Sequence, residues 1–278
     1  MHDVIDSFFE KVEESNLNIK LLDDDKIQKI VDEIIDEKLQ LKQNYIFTSI
    51  PKYRVLAGRL KKVIKQSMKY IVDSLKFSKF DVLGHEMEFK SQKEYPPIEI
   101  KLENGKTVEI TGKIDRIDIA KTADGNYIRI IDYKSSVKDI NLNEVKAGLQ
   151  LQLLTYMDAV CEIEDVLPAG VLYFNLIDPT IKASSHLSQE EIEFELRKQF
   201  KMKGLILADI DVAQMMDTNL EKGSSNVIPA YVDKDGNLSQ KSSSVTRKQF
   251  EDLQKYTKNM LSKISEEILS GKIDVKPY

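Results

Sequence analysis

The 278-residue sequence contains no tryptophan, only three histidines and a single cysteine, Cys161. One cysteine excludes an internal disulfide and a multi-cysteine zinc site, and it fits a reducing compartment. No apolar run approaches the roughly 20 residues that a bilayer-spanning helix needs. The acidic, amphipathic N-terminus also lacks the pattern of a signal peptide. The composition therefore predicts a cytoplasmic protein with no membrane partner.

Acidic residues outnumber basic ones, since 41 Lys and Arg against 46 Asp and Glu leave a formal net charge of −5. This balance disfavours a protein that binds nucleic acid through bulk positive charge. Residues 52–70, however, contain seven basic residues and no acidic one. The run is either a solvated helix face or, in a nuclease, the best candidate for contacts with DNA phosphates. The candidate contacts are Arg59, Lys61, Lys62 and Lys65.

The order of apolar patterns predicts one α/β domain over residues 1–278, with a mixed central sheet flanked by helices. Residues 1–80 are predicted as a helical N-terminal segment, because apolar residues recur there every three to four positions. Residues 81–178 are expected to contain the sheet and the helix that follows it, and residues 179–278 a helical C-terminal part. No Gly- or Pro-rich linker separates these three parts.

Strands are expected at 82–89, 98–102, 107–119, 127–133 and 170–177. Those at 98–102 and 107–119 would form a hairpin through the turn Asn104-Gly105. A single helix is expected at 142–161, and further helices at 190–200, 211–216 and 246–270.

Two of the predicted strands carry charged residues that a purely structural strand does not need. Residues 112–118 read Gly-Lys-Ile-Asp-Arg-Ile-Asp, and residues 130–134 read Ile-Ile-Asp-Tyr-Lys. Side chains alternate along a strand, so Asp132 and Lys134 share a face, with Asp115 on the neighbouring strand. Two carboxylates can hold a hard divalent cation, and a nearby lysine can stabilise phosphate charge or orient water. The alternative is a set of ordinary salt bridges at a sheet edge.

The helix after these strands contributes Gln152 and Tyr156, which lie four residues apart and so share a face. They are either polar groups tolerated on a partly buried helix, or groups that point across a cleft toward substrate.

Together, Asp115, Asp132-x-Lys134 and Gln152-x-x-x-Tyr156 resemble the motifs of PD-(D/E)xK nucleases of the RecB type. The sequences of four segments are similar to those of the C-terminal nuclease domains of the AddB family: residues 148–156, 172–175, 200–204 and 268–278. This resemblance covers essentially the whole chain. It implies a restriction-endonuclease-like fold and metal-dependent exonuclease cleavage of single DNA strands, in a helicase–nuclease of double-strand-break repair and recombination.

The resemblance also implies roles for individual residues. His2, Asp115, Asp132 and the main-chain carbonyl of Tyr133 would bind Mg²⁺, for which Mn²⁺ can substitute. Lys134 would assist the attacking water or the developing charge.

Other residues would support this site. Gln152 and Tyr156 would position the DNA strand, and Asp118 is a candidate to orient Arg116 or Lys113. The remaining histidines match no motif and are interpreted as structural or surface residues.

The resemblance implies partners as well: DNA and an AddA-type helicase subunit, since this chain has no GxxxxGK[ST] motif to drive translocation. AddB proteins usually carry a four-cysteine iron–sulfur cluster, and Cys161 matches none of its cysteines. We therefore expect a trimmed fragment without the cluster. Two alternatives stay open: a stand-alone RecB-like nuclease of defence or phage origin, and a catalytically inactive DNA-binding or scaffold fragment.

Overall fold

A mixed β-sheet forms the centre of the computed structural model, which describes residues 1–41, 46–181, 186–272 and 274. Its helices are α1 (His2–Glu14), α2 (Asp24–Gln40), α3 (Ile46–Ser49), α4 (Pro51–Lys76), α5 (Leu142–Lys146), α6 (Gln152–Glu164), α7 (Gln189–Gln199), α8 (Ile210–Met216) and α9 (Arg247–Leu269). None of these helices combines the length and the apolar character that a membrane crossing requires.

The strands of the central sheet follow the order β1-β4-β5-β6-β7-β10. They are β1 (Asp81–Phe89), β4 (Gly112–Thr122), β5 (Gly125–Lys134), β6 (Leu167–Asn175), β7 (Lys203–Leu207) and β10 (Ser244–Val245). Two small hairpins lie apart from it, formed by β2 (Ile98–Lys101) with β3 (Thr107–Ile110) and by β8 (Gly223–Ser224) with β9 (Tyr231–Val232). The predicted α/β fold with a mixed central sheet is thereby confirmed.

The pairing of β5 decides where the polar strand ends meet. β5 runs antiparallel to β4 and parallel to β6, and α5 and α6 provide the crossover that parallel neighbours need. The carboxyl ends of β5 and β6 therefore lie at the same edge of the sheet, where Lys134 pairs with Asn175.

The N-terminal helices form where the apolar periodicity predicts them. Helix α1 buries one face that includes Ile5, Phe8 and Phe9. Helix α2 begins after Asp23, whose carboxylate accepts a hydrogen bond from the Lys26 amide at 2.8 Å. Such a side-chain acceptor satisfies an amide that the first helical turn leaves free. The helical N-terminal segment of the sequence analysis is therefore confirmed.

Three details of the predicted elements are wrong. The helix expected at 142–161 is two helices, because Gly148 adopts a left-handed φ of +81° that interrupts the helical path. The strand expected at 107–119 is interrupted at Thr111, so that β3 pairs with β2 whereas β4 pairs with β1 and β5. The C-terminal part is not purely helical, since β7 and β10 extend the central sheet. Within the motif at 268–278, residues 273 and 275–278 lie outside the described residues.

A cluster of buried charges lies between β4 and β5. Arg116, Asp118 and Arg129 are each at most 1% exposed, and Asp118 pairs directly with Arg129 in the strand register. The Arg129 Nε donates to Asp118 Oδ2 at 2.8 Å, and an Arg116 Nη donates to the same oxygen at 3.2 Å. The second Nη of Arg116 donates to the Tyr133 hydroxyl at 3.0 Å. One carboxylate is thus shared by two guanidinium groups.

Aromatic rings complete the surroundings of these arginines. The Arg129 guanidinium lies 4.9 Å from the Phe80 ring centroid, and Arg116 lies 5.7 Å from Phe9. Burial lowers the pKa of Arg129, with Asp118 opposing that effect. Burial also acts to lower the pKa of Arg116, but the interactions with Asp118 and Tyr133 together outweigh it and the net pKa is raised. The Asp118 carboxylate is therefore the group that makes two buried cations tolerable.

We expect Asp118→Ala to lower the free energy of unfolding by about 3–5 kcal/mol, because it leaves two buried guanidinium groups without their carboxylate. Urea denaturation followed by circular dichroism measures the change. Asp81→Ala is the control: it removes an ion pair with Lys20 at 2.6 Å in which Asp81 is 73% exposed, and should cost less than about 1 kcal/mol. Equal losses in the two variants would contradict this account of the cluster.

Candidate active site

The antiparallel pairing of β4 and β5 brings the two predicted catalytic aspartates together. Arg116 pairs with Ile131, so the next step along both strands sets Asp115 opposite Asp132. Asp132 is 5% exposed, and the Asp115 side chain is 12% exposed. The Tyr133 amide donates to Asp115 Oδ2 at 2.8 Å, which orients this carboxylate from the neighbouring strand.

Asp132 lies in an environment that opposes its negative charge. Burial raises the pKa of Asp132, and the nearby charge of Asp115 raises it further, whereas Lys134 lowers it. The Lys134 Nζ lies 2.6 Å from Asp132 Oδ2. That oxygen has this ion pair but no hydrogen bond of acceptable angle within the described residues. A further cation at this position would stabilise both carboxylates.

Helix α1 carries His2 to the same place. His2 Nδ1 lies 3.4 Å from Asp115 Oδ2, and the imidazole meets the Tyr133 ring edge-on with 6.1 Å between centroids. The His2 side chain is 41% exposed, whereas Tyr133 is buried. The structure therefore brings His2, Asp115 and Tyr133 into one group beside the Asp132–Lys134 pair.

The chemistry of these donors fits a hard divalent cation, although they do not form a complete cage. Within residues 1–41, 46–181, 186–272 and 274, no group of three or more His, Cys, Asp or Glu side chains is arranged to hold a metal ion. A magnesium ion does not require one, because it usually binds through one or two carboxylates and takes water and phosphate oxygens as its other ligands. Asp115 and Asp132 are sufficient in kind and number for that mode.

Strand β6 contributes a residue that the sequence analysis did not assign. Tyr173 pairs with Asp132, and the Lys134 Nζ lies 5.8 Å from the centroid of its ring. Burial, together with the nearby Asp132 charge, raises the pKa of Tyr173 to about 12, so its hydroxyl stays protonated at neutral pH. The only sequence signal was a tyrosine within the apolar run at 170–177.

Gln152 and Tyr156 share a helix face as predicted, but they differ in exposure. Gln152 is exposed at the start of α6, whereas Tyr156 is 6% exposed and stacks on Phe89 with 5.5 Å between centroids. The Tyr156 hydroxyl accepts from the Lys113 amide at 3.2 Å and from Gln152 Nε2 at 3.4 Å. Tyr156 is thus attached to the β4 backbone, and Gln152 is the member of the pair that faces solvent.

The close approach of Tyr156 to β4 depends on Gly112. A Cβ atom at position 112 would overlap the Tyr156 hydroxyl and lie 2.9 Å from the two nearest ring carbons. The residue before Lys113 must therefore be small for α6 to reach the sheet as it does.

The predicted DNA-binding residues of α4 fall on two sides of the helix. Lys61 and Lys65 form ion pairs with Asp32 of α2, at 3.0 and 2.8 Å. Arg59 Nε lies 3.0 Å from Asp178, which follows β6. Lys62 is exposed and has no ion pair within the described residues. The basic run is therefore partly neutralised by neighbouring acids.

Two supporting interpretations of the sequence have different outcomes. Asp118 does contact Arg116, but Lys113 instead forms an ion pair with Glu86. The buried Arg129 was missed, although an arginine inside the apolar stretch at 128–131 was a signal for an internal ion pair.

His85 supports the fold rather than the site. Its Nδ1 lies 2.6 Å from Asp6 Oδ1, and its ring stacks on Phe9 with 5.6 Å between centroids. These contacts join β1 to α1. They support the structural interpretation of this histidine.

Comparisons with known proteins all identify nucleases. The family model described as the PD-(D/E)XK nuclease superfamily matches residues 1–278. The chain is 42% identical to an ATP-dependent helicase/deoxyribonuclease subunit of Acetivibrio thermocellus, with 100% of this chain and 25% of the relative aligned. It is 44% identical to the subunit of the same name from Clostridium novyi, with 100% and 25% aligned. The chain spans about a quarter of the length of the curated relatives it matches.

We expect Gly112→Ala to lower the free energy of unfolding by about 1–3 kcal/mol, because the added methyl group displaces Tyr156 from β4. Chemical denaturation measures the change. Gly58→Ala in α4 is the matched control, since a Cβ there meets no atom within 4 Å. It should instead stabilise the chain by about 0.4–1 kcal/mol. A Gly112→Ala variant as stable as the parent would show that Tyr156 is not tightly held.

Proposed function

Because this chain belongs to the PD-(D/E)XK nuclease superfamily, we propose that it hydrolyses phosphodiester bonds in DNA with the help of a divalent cation, preferably Mg²⁺. The observation that carries the proposal is the grouping of Asp115, Asp132 and Lys134 at one place on β4 and β5. A buried acid pair of this kind has little structural benefit without a cation, since each charge destabilises the other.

Asp115, Asp132, the main-chain carbonyl of Tyr133 and His2 would hold the ion. When bound, such an ion polarises the scissile phosphate and lowers the pKa of a water molecule. The Tyr133 amide keeps Asp115 oriented.

Lys134 would supply a positive charge from the protein itself, in addition to the charge of the bound ion. Its side chain is 30% exposed and its ammonium lies beside Asp132, so it can donate to a phosphate oxygen or orient a water while staying paired. Gln152 is accessible for contact with the strand, and Tyr156 would act by fixing the position of Gln152 relative to β4.

The names of the relatives suggest the wider role. We infer that the chain serves as the nuclease part of an AddAB-type helicase–nuclease, in which an AddA-type helicase subunit would deliver a single strand for exonuclease cleavage. That role would place it in the cytoplasm, in double-strand-break repair and recombination. An iron–sulfur cluster would need cysteines other than Cys161, whose thiol is half-buried in α6 with a pKa raised to about 12 by burial.

A second candidate function is DNA binding without catalysis. The observation that favours it is the exposed Lys62 of α4, which has no ion pair within the described residues and could contact DNA phosphates without a metal ion. Metal-dependent cleavage of a labelled single-stranded oligonucleotide discriminates between the two candidates, because only the nuclease shortens the strand.

We expect Lys134→Ala to reduce the cleavage rate by at least about 100-fold, because it removes a charge that acts on the transition state. Single-turnover assays with Mg²⁺ and with Mn²⁺ measure the rate. The fold should be retained, since the Lys134 side chain lies at the edge of the site. Lys101→Ala, at an exposed position on β2, is the control for loss of a lysine. Cleavage by Lys134→Ala at the parental rate would remove Lys134 from the mechanism.

The two sides of α4 suggest which basic residues meet DNA. The exposed side carries Lys62, which has no ion pair within the described residues, next to Val55 at 74% exposure. Arg59 links this side to Asp178, three residues beyond the end of β6. We infer that this side, rather than the Lys61–Lys65 side, follows the DNA backbone toward Lys134.

We expect Lys62→Ala to reduce the salt dependence of single-strand binding by about 0.7 in log–log slope, because it removes one cation that contacts the strand. Fluorescence anisotropy in EDTA over a salt series measures the slope. Lys65→Ala changes the net charge equally but removes a lysine already paired with Asp32, so its slope should stay near the parental value. If the control loses as much slope as the test variant, the Lys61–Lys65 side binds DNA.

A further inference from the structure

Strand β6 ends in a buried polar residue to which the proposed catalysis gives no role. Asn175 is 3% exposed and pairs with Lys134 in the parallel register. Immediately after it, the Leu176 amide donates to the Lys134 carbonyl at 2.7 Å. Asn175 therefore lies directly beside the backbone of the candidate catalytic lysine.

Both ends of the Asn175 amide bind the chain four residues beyond Lys134. The Lys138 amide donates to Asn175 Oδ1 at 2.8 Å, and Asn175 Nδ2 donates to the Lys138 carbonyl at 3.2 Å. Residues 135–137 between these points are exposed, with Val137 at 63%. Since this loop has little buried apolar surface of its own, the Asn175 side chain is a main attachment of the loop to the sheet.

A second residue on the same side of β6 meets the lysine side chain. Tyr173 lies two positions before Asn175, and residues two apart in a strand point the same way. Its ring lies 5.8 Å from Lys134 Nζ. Tyr173 thus contacts the ammonium end of Lys134, and Asn175 secures the backbone that follows it.

We propose that Asn175 is a positioning residue: by holding Lys138, it fixes the loop after β5 and so keeps Lys134 against Asp132. This inference rests on the proposed nuclease function. Misplacement of a reacting group by about 1 Å can cost on the order of 100-fold in rate. Loss of the attachment should therefore slow the chemical step while leaving DNA affinity intact.

The sharpest test changes Lys138, because its substitution leaves the core untouched. Lys138→Pro removes the amide that donates to Asn175, whereas Lys138→Ala keeps the main-chain amide and carbonyl. Asn175→Leu removes both hydrogen bonds from the other side. We expect Lys138→Pro and Asn175→Leu to cleave roughly 10–100-fold more slowly than Lys138→Ala in single-turnover assays. Their affinity for a single-stranded oligonucleotide in EDTA should agree with that of Lys138→Ala within about twofold.

A double variant separates positioning from general damage. If Asn175 acts through Lys134, Lys138→Pro should add no further loss of rate in a Lys134→Ala background. A further loss there would overturn the inference, as would a Lys138→Pro variant that cleaves as fast as Lys138→Ala. A parent chain that cleaves no DNA with Mg²⁺ or Mn²⁺ would instead overturn the proposed function. Amide hydrogen exchange at Lys138, protected in the parent and fast in Asn175→Leu, reports the attachment independently of activity.

Discussion

The antiparallel register of β4 and β5 is the constraint on which the candidate site depends. Within that register Asp118 lies opposite Arg129 in the interior, where one carboxylate serves two guanidinium groups. A slip by one residue would separate these charges inside the core and turn every side chain of the strand to the other face. The same slip would move Asp115 away from Asp132. The buried ion cluster, unfavourable in isolation, thereby favours a single pairing.

The candidate site that this register creates is electrostatically unbalanced. Asp132 is buried near a second carboxylate, and the charges within reach that oppose them are those of Lys134 and, when protonated, His2. Burial strengthens each of these interactions, because the local dielectric is low. An added divalent cation would relieve the repulsion, and a phosphate would then be drawn to the cation and to Lys134. The arrangement explains why an acid pair can persist inside a sheet.

The elements that could be predicted from the sequence are those in which apolar side chains recur with a strong periodicity. Helices α1, α2 and α4 follow apolar periodicity, and β4 and β5 follow their alternating side chains. The errors arose where a local pattern continued across a break: Gly148 divides an apolar stretch into α5 and α6, and Thr111 divides a β-rich stretch between two sheets. Both breaks depend on tertiary contacts, and the periodicity of apolar residues carries no information about such contacts.

The sequence by itself determined the chemistry that is available: two aspartates and a lysine at strand spacing, followed by Gln152 and Tyr156 at helical spacing. Only the tertiary structure decided which groups meet. Parallel pairing with β6 brought Tyr173 and Asn175 to Lys134, helix α1 brought His2 to Asp115, and helix α2 neutralised one side of the basic run through Asp32. The physical reason is distance: ion pairs and hydrogen bonds act over a few ångströms, and folding alone brings residues far apart in sequence within that range.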